Sequence, residues 1–135
     1  MWSAQQHLAC SSASPRDARK FCSEQLRDHL GSTRQADDIV DAAELIVSEL
    51  ITNAINASCS CTELTLSCEG ESLRIAVGDD RSGQPLLKAP TEREEHGRGL
   101  AIVDALAASW GVVARAEDGK QVWAELTLPS ALLAG

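Results

Sequence analysis

Residues Ala42 to Ser58 read AAELIVSELITNAINAS, and the rest of the chain is organised around this stretch. At about 100° per residue, Ile39, Ala43, Ile46, Val47, Leu50, Ala54 and Ala57 share one apolar arc. Asp37, Asp41, Glu44, Ser48 and Thr52 take the solvent side. The pattern predicts an amphipathic helix from Gln35 to Ala57 with one buried face. Glu49 and Asn53 are four apart and Asn56 is three further on, so all three stack along one flank. Polar groups at the edge of an apolar stripe need partners, because leaving them unpaired costs free energy. Two explanations stand at this point. The three residues bond to neighbouring loops, or they wall a cleft in which Glu49 orients a nucleophile and Asn53 offers its amide oxygen to Mg²⁺.

Toward the N-terminus, residues 3–10 read as a short edge strand. Ser14-Pro15-Arg16-Asp17 then opens a helix: Ser14 suits the N-cap, Pro15 the first turn, and Asp17 the positive end of the dipole. Ala18, Phe21, Cys22, Gln25, Leu26 and His29 form its inner face, and Gly31 ends it. After the long helix, Thr62, Leu64, Leu66 and Cys68 alternate with Cys61, Glu63, Thr65 and Ser67. Period two predicts a strand with one covered face. A tight connection at Glu69-Gly70-Glu71 leads to a second strand, with Leu73, Ile75 and Val77 inward. Asp79 shares their parity, which directs it to the covered face. There it either caps a neighbouring turn or accepts a hydrogen bond from a ligand's exocyclic amine.

Residues 81–96, RSGQPLLKAPTEREEH, form a loop of functional length. His96-Gly97-Arg98-Gly99-Leu100 opens another helix, with Leu100, Val103, Leu106 and Ala107 inward and Trp110-Gly111 at its end. Glycines before a helix start allow close backbone approach, and the free N–H groups of the first turn suit an anion. A plain hinge into a helix explains the same glycines. Val112–Glu117 and Val122–Leu128 form a last hairpin turned at Asp118-Gly119. Val122, Ala124, Leu126 and Leu128 face inward and Trp123 outward. The order predicts an α+β two-layer sandwich, with helices over one face of a mainly antiparallel, mixed sheet. No GxxxxGK[ST] is present, which excludes a P-loop.

The 135 residues suit a single domain with its core at about 14–129. A net charge of −8 without any Lys/Arg cluster argues against nucleic acid. No apolar run approaches the roughly 20 residues of a membrane span. The start of the chain lacks the pattern of a secretion signal, so the cytoplasm is expected. Five cysteines is an odd number, and Cys59, Cys61 and Cys68 have neither a CxxC pair nor a histidine beside them. They read as small reduced thiols rather than zinc ligands.

Taken in order, these segments resemble the GHKL ATPases, the superfamily of gyrase and the histidine kinases. Glu49-Leu-Ile-Thr-Asn53-Ala resembles the N box, and Asp79-Asp-Arg-Ser-Gly83 the adenine-binding Asp-x-Gly-x-Gly box. His96-Gly-Arg-Gly-Leu-Ala-Ile-Val103 resembles the second glycine box, and Gly119-Lys-Gln-Val-Trp-Ala-Glu-Leu126 stands in the place of the last. Within the superfamily the chain looks like the small stand-alone bacterial regulators related to anti-sigma-factor serine kinases.

The resemblance implies an ATP-binding regulatory protein that uses Mg²⁺ and ATP to phosphorylate a serine on an antagonist protein. Glu49 would be the catalytic base and Asn53 the magnesium ligand. Asp79 would bind the adenine amine with Gly83 beside it. Gly97, Arg98, Gly99 and Leu100 would carry the phosphates, and the loop before them would be a lid. A sigma factor or its antagonist is the implied partner, and a homodimer the implied assembly. Three departures stand against this. Arg81 replaces the first glycine of the adenine box, Ala57 a common histidine, and Lys120 the usual threonine of the last box. They leave nucleotide binding in place and weaken the case for phosphoryl transfer, although lysine at the last position is familiar in the stand-alone type. The alternative is a nucleotide-sensing module that sequesters its partner and transfers nothing.

Overall fold

Alternating apolar residues in Cys61–Glu69 and Ser72–Asp79 build the centre of a five-stranded sheet, as seen in a computed structural model of the chain. The structure describes residues 1–9, 11–56, 61–79, 101–114 and 120–132. Along the chain these form β1 (Trp2–Ala9), α1 (Ser14–Leu30), α2 (Arg34–Asn56), β2 (Cys61–Glu69) and β3 (Ser72–Asp79). A short helix over 101–106, α3, follows, then β4 (Ser109–Ala114), β5 (Lys120–Thr127) and a 3₁₀ turn at Ser130–Leu132. The strand order is β1-β2-β3-β5-β4, and every ladder among the described residues is antiparallel.

Opposite residues in an antiparallel ladder share a face, so the register assigns the inner face directly. Leu8, Leu64, Leu66, Leu73, Ile75, Val122, Ala124 and Leu126 lie on it and are buried. Helices α1 and α2 cover this face, giving the two-layer α+β sandwich that the element order predicts. Gly70, at φ 62, makes the two-residue turn between β2 and β3, a conformation that glycine adopts without strain.

The helix starts differ from expectation. Ser14 is the first residue of α1 and not its cap; Ala13 holds that position without a side-chain bond. The Ser14 hydroxyl instead donates to the carbonyl of Ala9 and accepts from the Ser11 amide, tying the helix to the end of β1. In α2 the Thr33 hydroxyl accepts from the amide of Ala36 at 3.1 Å, a cap that the sequence reading missed. Gly31 ends α1 as expected, at φ 83.

Helix α1 runs antiparallel along one side of α2. Arg27 pairs with Asp37 at 2.7 Å, and Arg19 donates to Ser48 at 3.1 Å. This second helix widens the buried arc of α2, so Ala36, Val40 and Ile51 are buried along with Ala43, Ile46, Val47, Leu50 and Ala54, Ile39 is half-buried, and Glu44 and Ser48 are half-covered. Trp110 and Gly111 lie inside β4, not at a helix end. The chain joins the sheet at Ala108, whose amide donates to Glu125 O at 2.7 Å, and the Trp110 indole reaches back to Asp104 at 2.8 Å. Among the described residues no helix is long and apolar enough to cross a membrane.

Candidate functional site

The flank of α2 that carries Glu49 and Asn53 is the one turned away from α1. Helical geometry puts Asp37, Glu44 and Ser48 on the α1 side, and Glu49 and Asn53 about 100° to 180° around from them. Glu49 is half-buried, while Asn53 retains only 9% of its surface. A nearly buried amide on a flank that α1 does not cover is where a polar ligand finds ready partners. Asn56, one turn further, is exposed.

Asp79 is the last residue of β3, and its backbone register puts it opposite Thr62. Thr62 follows the end of α2 at Asn56 by six positions, and α2 packs on β3. The C-terminal half of α2, the start of β2 and the end of β3 therefore meet at one pole of the sandwich. Lys120 begins β5 at the same pole, since its neighbour Gln121 pairs with Gly78. Arg81, Gly83, Gly97, Arg98, Gly99, Leu100 and Ala57 lie outside the described residues, as does the expected lid. The helix that the glycines were expected to open is present over 101–106, with Val103 fully buried in the core and Leu106 and Ala107 packed against it.

One residue of this pole escaped the sequence reading. Thr62 keeps 1% of its surface, and its hydroxyl oxygen is buried without a hydrogen-bond partner. The signal was present in the hairpin: with the turn at Gly70-Glu71, strand pairing brings residue 62 opposite residue 79. A buried hydroxyl without a partner is a polar group that packing among leucines does not explain.

The open grooves that the described residues line lie elsewhere. One runs between β1 and α1, past Gln6, Ser14, Lys20 and Glu24, and another passes Trp2, His29 and Leu132 at the opposite pole. Neither includes Glu49, Asn53 or Asp79. Of the two described thiols, Cys22 is the more strongly perturbed: burial, with a smaller contribution from Glu44, pushes its pKa up from 9.0 to about 12. Cys68 is raised by burial as well. Among the described residues no three His, Cys, Asp or Glu side chains converge as a metal cluster.

The family model of the histidine kinase-like ATPase domain matches residues 11–126. The chain belongs to this family. The match spans every element from α1 to β5 and so covers the whole pole described above. No curated protein matches the chain at a significant level. Membership in the histidine kinase-like ATPase family implies ATP as the ligand and a regulatory, ATP-binding role. The antiparallel sheet with helices on one face agrees with that family's fold.

Proposed function

We propose that the chain is an ATP-binding switch of the anti-sigma serine kinase type, with its nucleotide held at the pole formed by α2, β2 and β3. The observation that supports this reading is the common placement of the Glu49–Asn53 flank and the Asp79 strand end within the family match. The Asp79 carboxylate accepts a hydrogen bond from the adenine amine. Asn53 fits Mg²⁺, which takes one or two protein ligands alongside phosphate oxygens and water, and its nearly buried amide needs such a partner. When bound, the ion neutralises phosphate charge as the γ-phosphoryl group moves.

Glu49 accepts the proton of the attacking serine hydroxyl as its oxygen bonds to the γ-phosphorus and the bond to the ADP oxygen breaks. The products are phosphoserine and ADP. The phosphates fall to Gly97, Arg98, Gly99 and Leu100, which precede residues 101–106 in the sequence, as the glycine box of the family implies. The substrate is an antagonist protein bearing the serine, and a sigma factor is the partner released or held. A homodimer in the cytoplasm is the setting that this reading carries. The sequence departures at Arg81 and Ala57 favour a second reading, a module that binds nucleotide and partner without transfer.

Calorimetry and labelled ATP separate the two. Asp79→Asn should weaken ATP binding by about tenfold or more, as expected for a charge-assisted hydrogen bond of roughly 1.5–3 kcal/mol. Glu49→Gln should keep affinity while slowing transfer about 10²–10⁴-fold, as for a lost general base. Asn53→Ala should weaken Mg²⁺-dependent ATP binding itself. A parent that binds ATP and partner but labels no serine sinks the kinase and leaves the module; a parent that binds no ATP sinks both.

A further inference from the structure

Strand β1 is at one edge of the sheet and pairs with β2 residue for residue from Trp2 to Ala9. Among the described residues nothing pairs with its other edge. Every second residue of such a strand turns its N–H and C=O outward. Proteins usually blunt that row with lysine, proline, a bulge or an inward charge. The sequence of β1, WSAQQHLA, has none of these, and its register is unbroken.

A groove of about 530 Å³ opens beside this edge, between β1 and α1, and no residue of β2 or α2 lines it. Phe21 gives it an apolar wall, and Asp17, Lys20 and Glu24 stand exposed along its α1 side. Gln6 lines it from β1. Its place opposite Leu64 puts it on the covered face, and its Oε1 is shut off from water without a hydrogen-bond partner. A buried acceptor left unpaired calls for a donor. The terminal torsion of glutamine is broad, so this oxygen turns to a donor in the groove while the rest of the side chain keeps its rotamer.

We propose that the free edge of β1 and the groove beside it take an extended, basic segment of another protein as an added strand. Main-chain bonds to β1 supply affinity, and side chains of one parity enter the groove and supply selection. One of them donates to Gln6 Oε1, and cationic neighbours meet Asp17 and Glu24. Charge favours this occupant over a second copy. The chain carries −8, and Asp17 and Glu24 outweigh Lys20 in the groove, so a basic strand is attracted where another copy is repelled. None of Glu49, Asn53 and Asp79 lines the groove, so this site stands independently of the nucleotide reading.

The probe is an acetylated, amidated peptide of the length of β1, in which threonine alternates with lysine or asparagine. Hydrogen exchange of the β1 amides and fluorescence anisotropy of labelled peptide read the binding. The outward β1 amides should exchange fast in the free protein and slow when the peptide is added. Methylating one alternate set of peptide nitrogens should abolish binding, and methylating the other set should spare it, because only one set faces β1. Asp17→Lys combined with Glu24→Lys, both exposed, should weaken the lysine peptide about tenfold and favour a glutamate analogue instead. Gln6→Leu should lose about two- to tenfold, the range of one neutral hydrogen bond; if it does not fold, the charge reversal carries the test.

Unchanged β1 exchange at millimolar basic peptide would overturn the proposal. Equal tolerance of both methylated sets would overturn it too, since charge contact without a ladder would then explain the binding. Exchange that slows with protein concentration alone would give the edge to a second copy, and the basic partner strand would be abandoned.

Discussion

On the uncovered face of the sheet, the Trp123 ring leans over Gly111, its partner across β4 and β5. A Cβ added at Gly111 would lie 2.9 Å from Cζ2 of that ring and 3.0 Å from both Cε2 and Nε1. Such separations are well inside the carbon–carbon optimum of about 3.5–4.0 Å, so the ring must move. It is not free to do so at no cost: the Arg74 guanidinium sits 4.3 Å from its centroid and pairs with Glu125 at 3.0 Å. Gly111→Ala should therefore incur an overpacking term of about 1–3 kcal/mol, plus about 0.5–1 kcal/mol if the cation–π contact is lost. Restricting the unfolded chain returns about 0.4–1 kcal/mol. The Arg74–Glu125 pair is part-exposed, and at about 0–1 kcal/mol it does not decide the sign. The net expectation is destabilisation of roughly 1–3 kcal/mol, read as a lower urea midpoint at unchanged slope. Trp123→Leu in the same chain should relieve most of the clash, so the double variant should lose less than the sum of the single losses. A Gly111→Ala protein as stable as the parent, or more so, would refute this account of the tryptophan's seat.

Two further expectations rest on single features. Gly31 ends α1 at φ 83 and ψ −156, a region almost confined to glycine, so Gly31→Ala should lower stability by about 1–3 kcal/mol in thermal melts; an unchanged melting temperature would count against the strain. Cys22, with its pKa pushed up to about 12 by burial and by Glu44, should resist thiol reagents at pH 8 until the chain unfolds. Its folded pKa lies above the unfolded one, so its contribution is fully present below about pH 9 and declines as pH rises toward 12. Rapid labelling of Cys22 in the native protein would contradict its burial.

How much of this was legible in the sequence depends on whether the information was local. The parity of Leu64, Leu66, Leu73, Ile75, Ala124 and Leu126 requires only period two, and these strands fold as read. The arc of α2 was read too narrowly because one helix's periodicity cannot show a second helix on its flank; α1 is what buries Val40 and Ile51. The end of α3 was misplaced for a similar reason. Ala105 to Ala108 favour helix locally, but the hydrogen bond from Ala108 to Glu125 pulls the chain into the sheet before Trp110. His29 was placed on the inner face, yet it is exposed and stacks on Trp2 with ring centroids 4.0 Å apart, a contact that depends on β1. The Glu49–Asn53 flank was legible because helical spacing alone defines it. Thr62 was not singled out because its meaning depends on the strand opposite.

The two poles of the sandwich differ in a way that bears on function. At the Trp2–Gly70 pole three polar groups find partners within the chain: Arg27 donates to Gly31 O, Leu128 N to Glu71 O, and the Cys68 thiol to Gly70 O. At the Thr62–Asp79 pole a buried hydroxyl stands unpartnered, and a nearly buried amide occupies a flank that α1 leaves uncovered. A fold that satisfied both ends alike would give no reason to place a ligand at either. Because they differ, substitutions at the two ends should separate stability from binding. Gly31→Ala alters the pole away from the proposed nucleotide site and should lower the melting temperature while leaving nucleotide affinity in the folded protein unchanged. Thr62→Val removes an orphaned hydroxyl, so it should keep or raise the melting temperature. A melting temperature that falls for Gly31→Ala and holds for Thr62→Val is what this difference between the two ends requires.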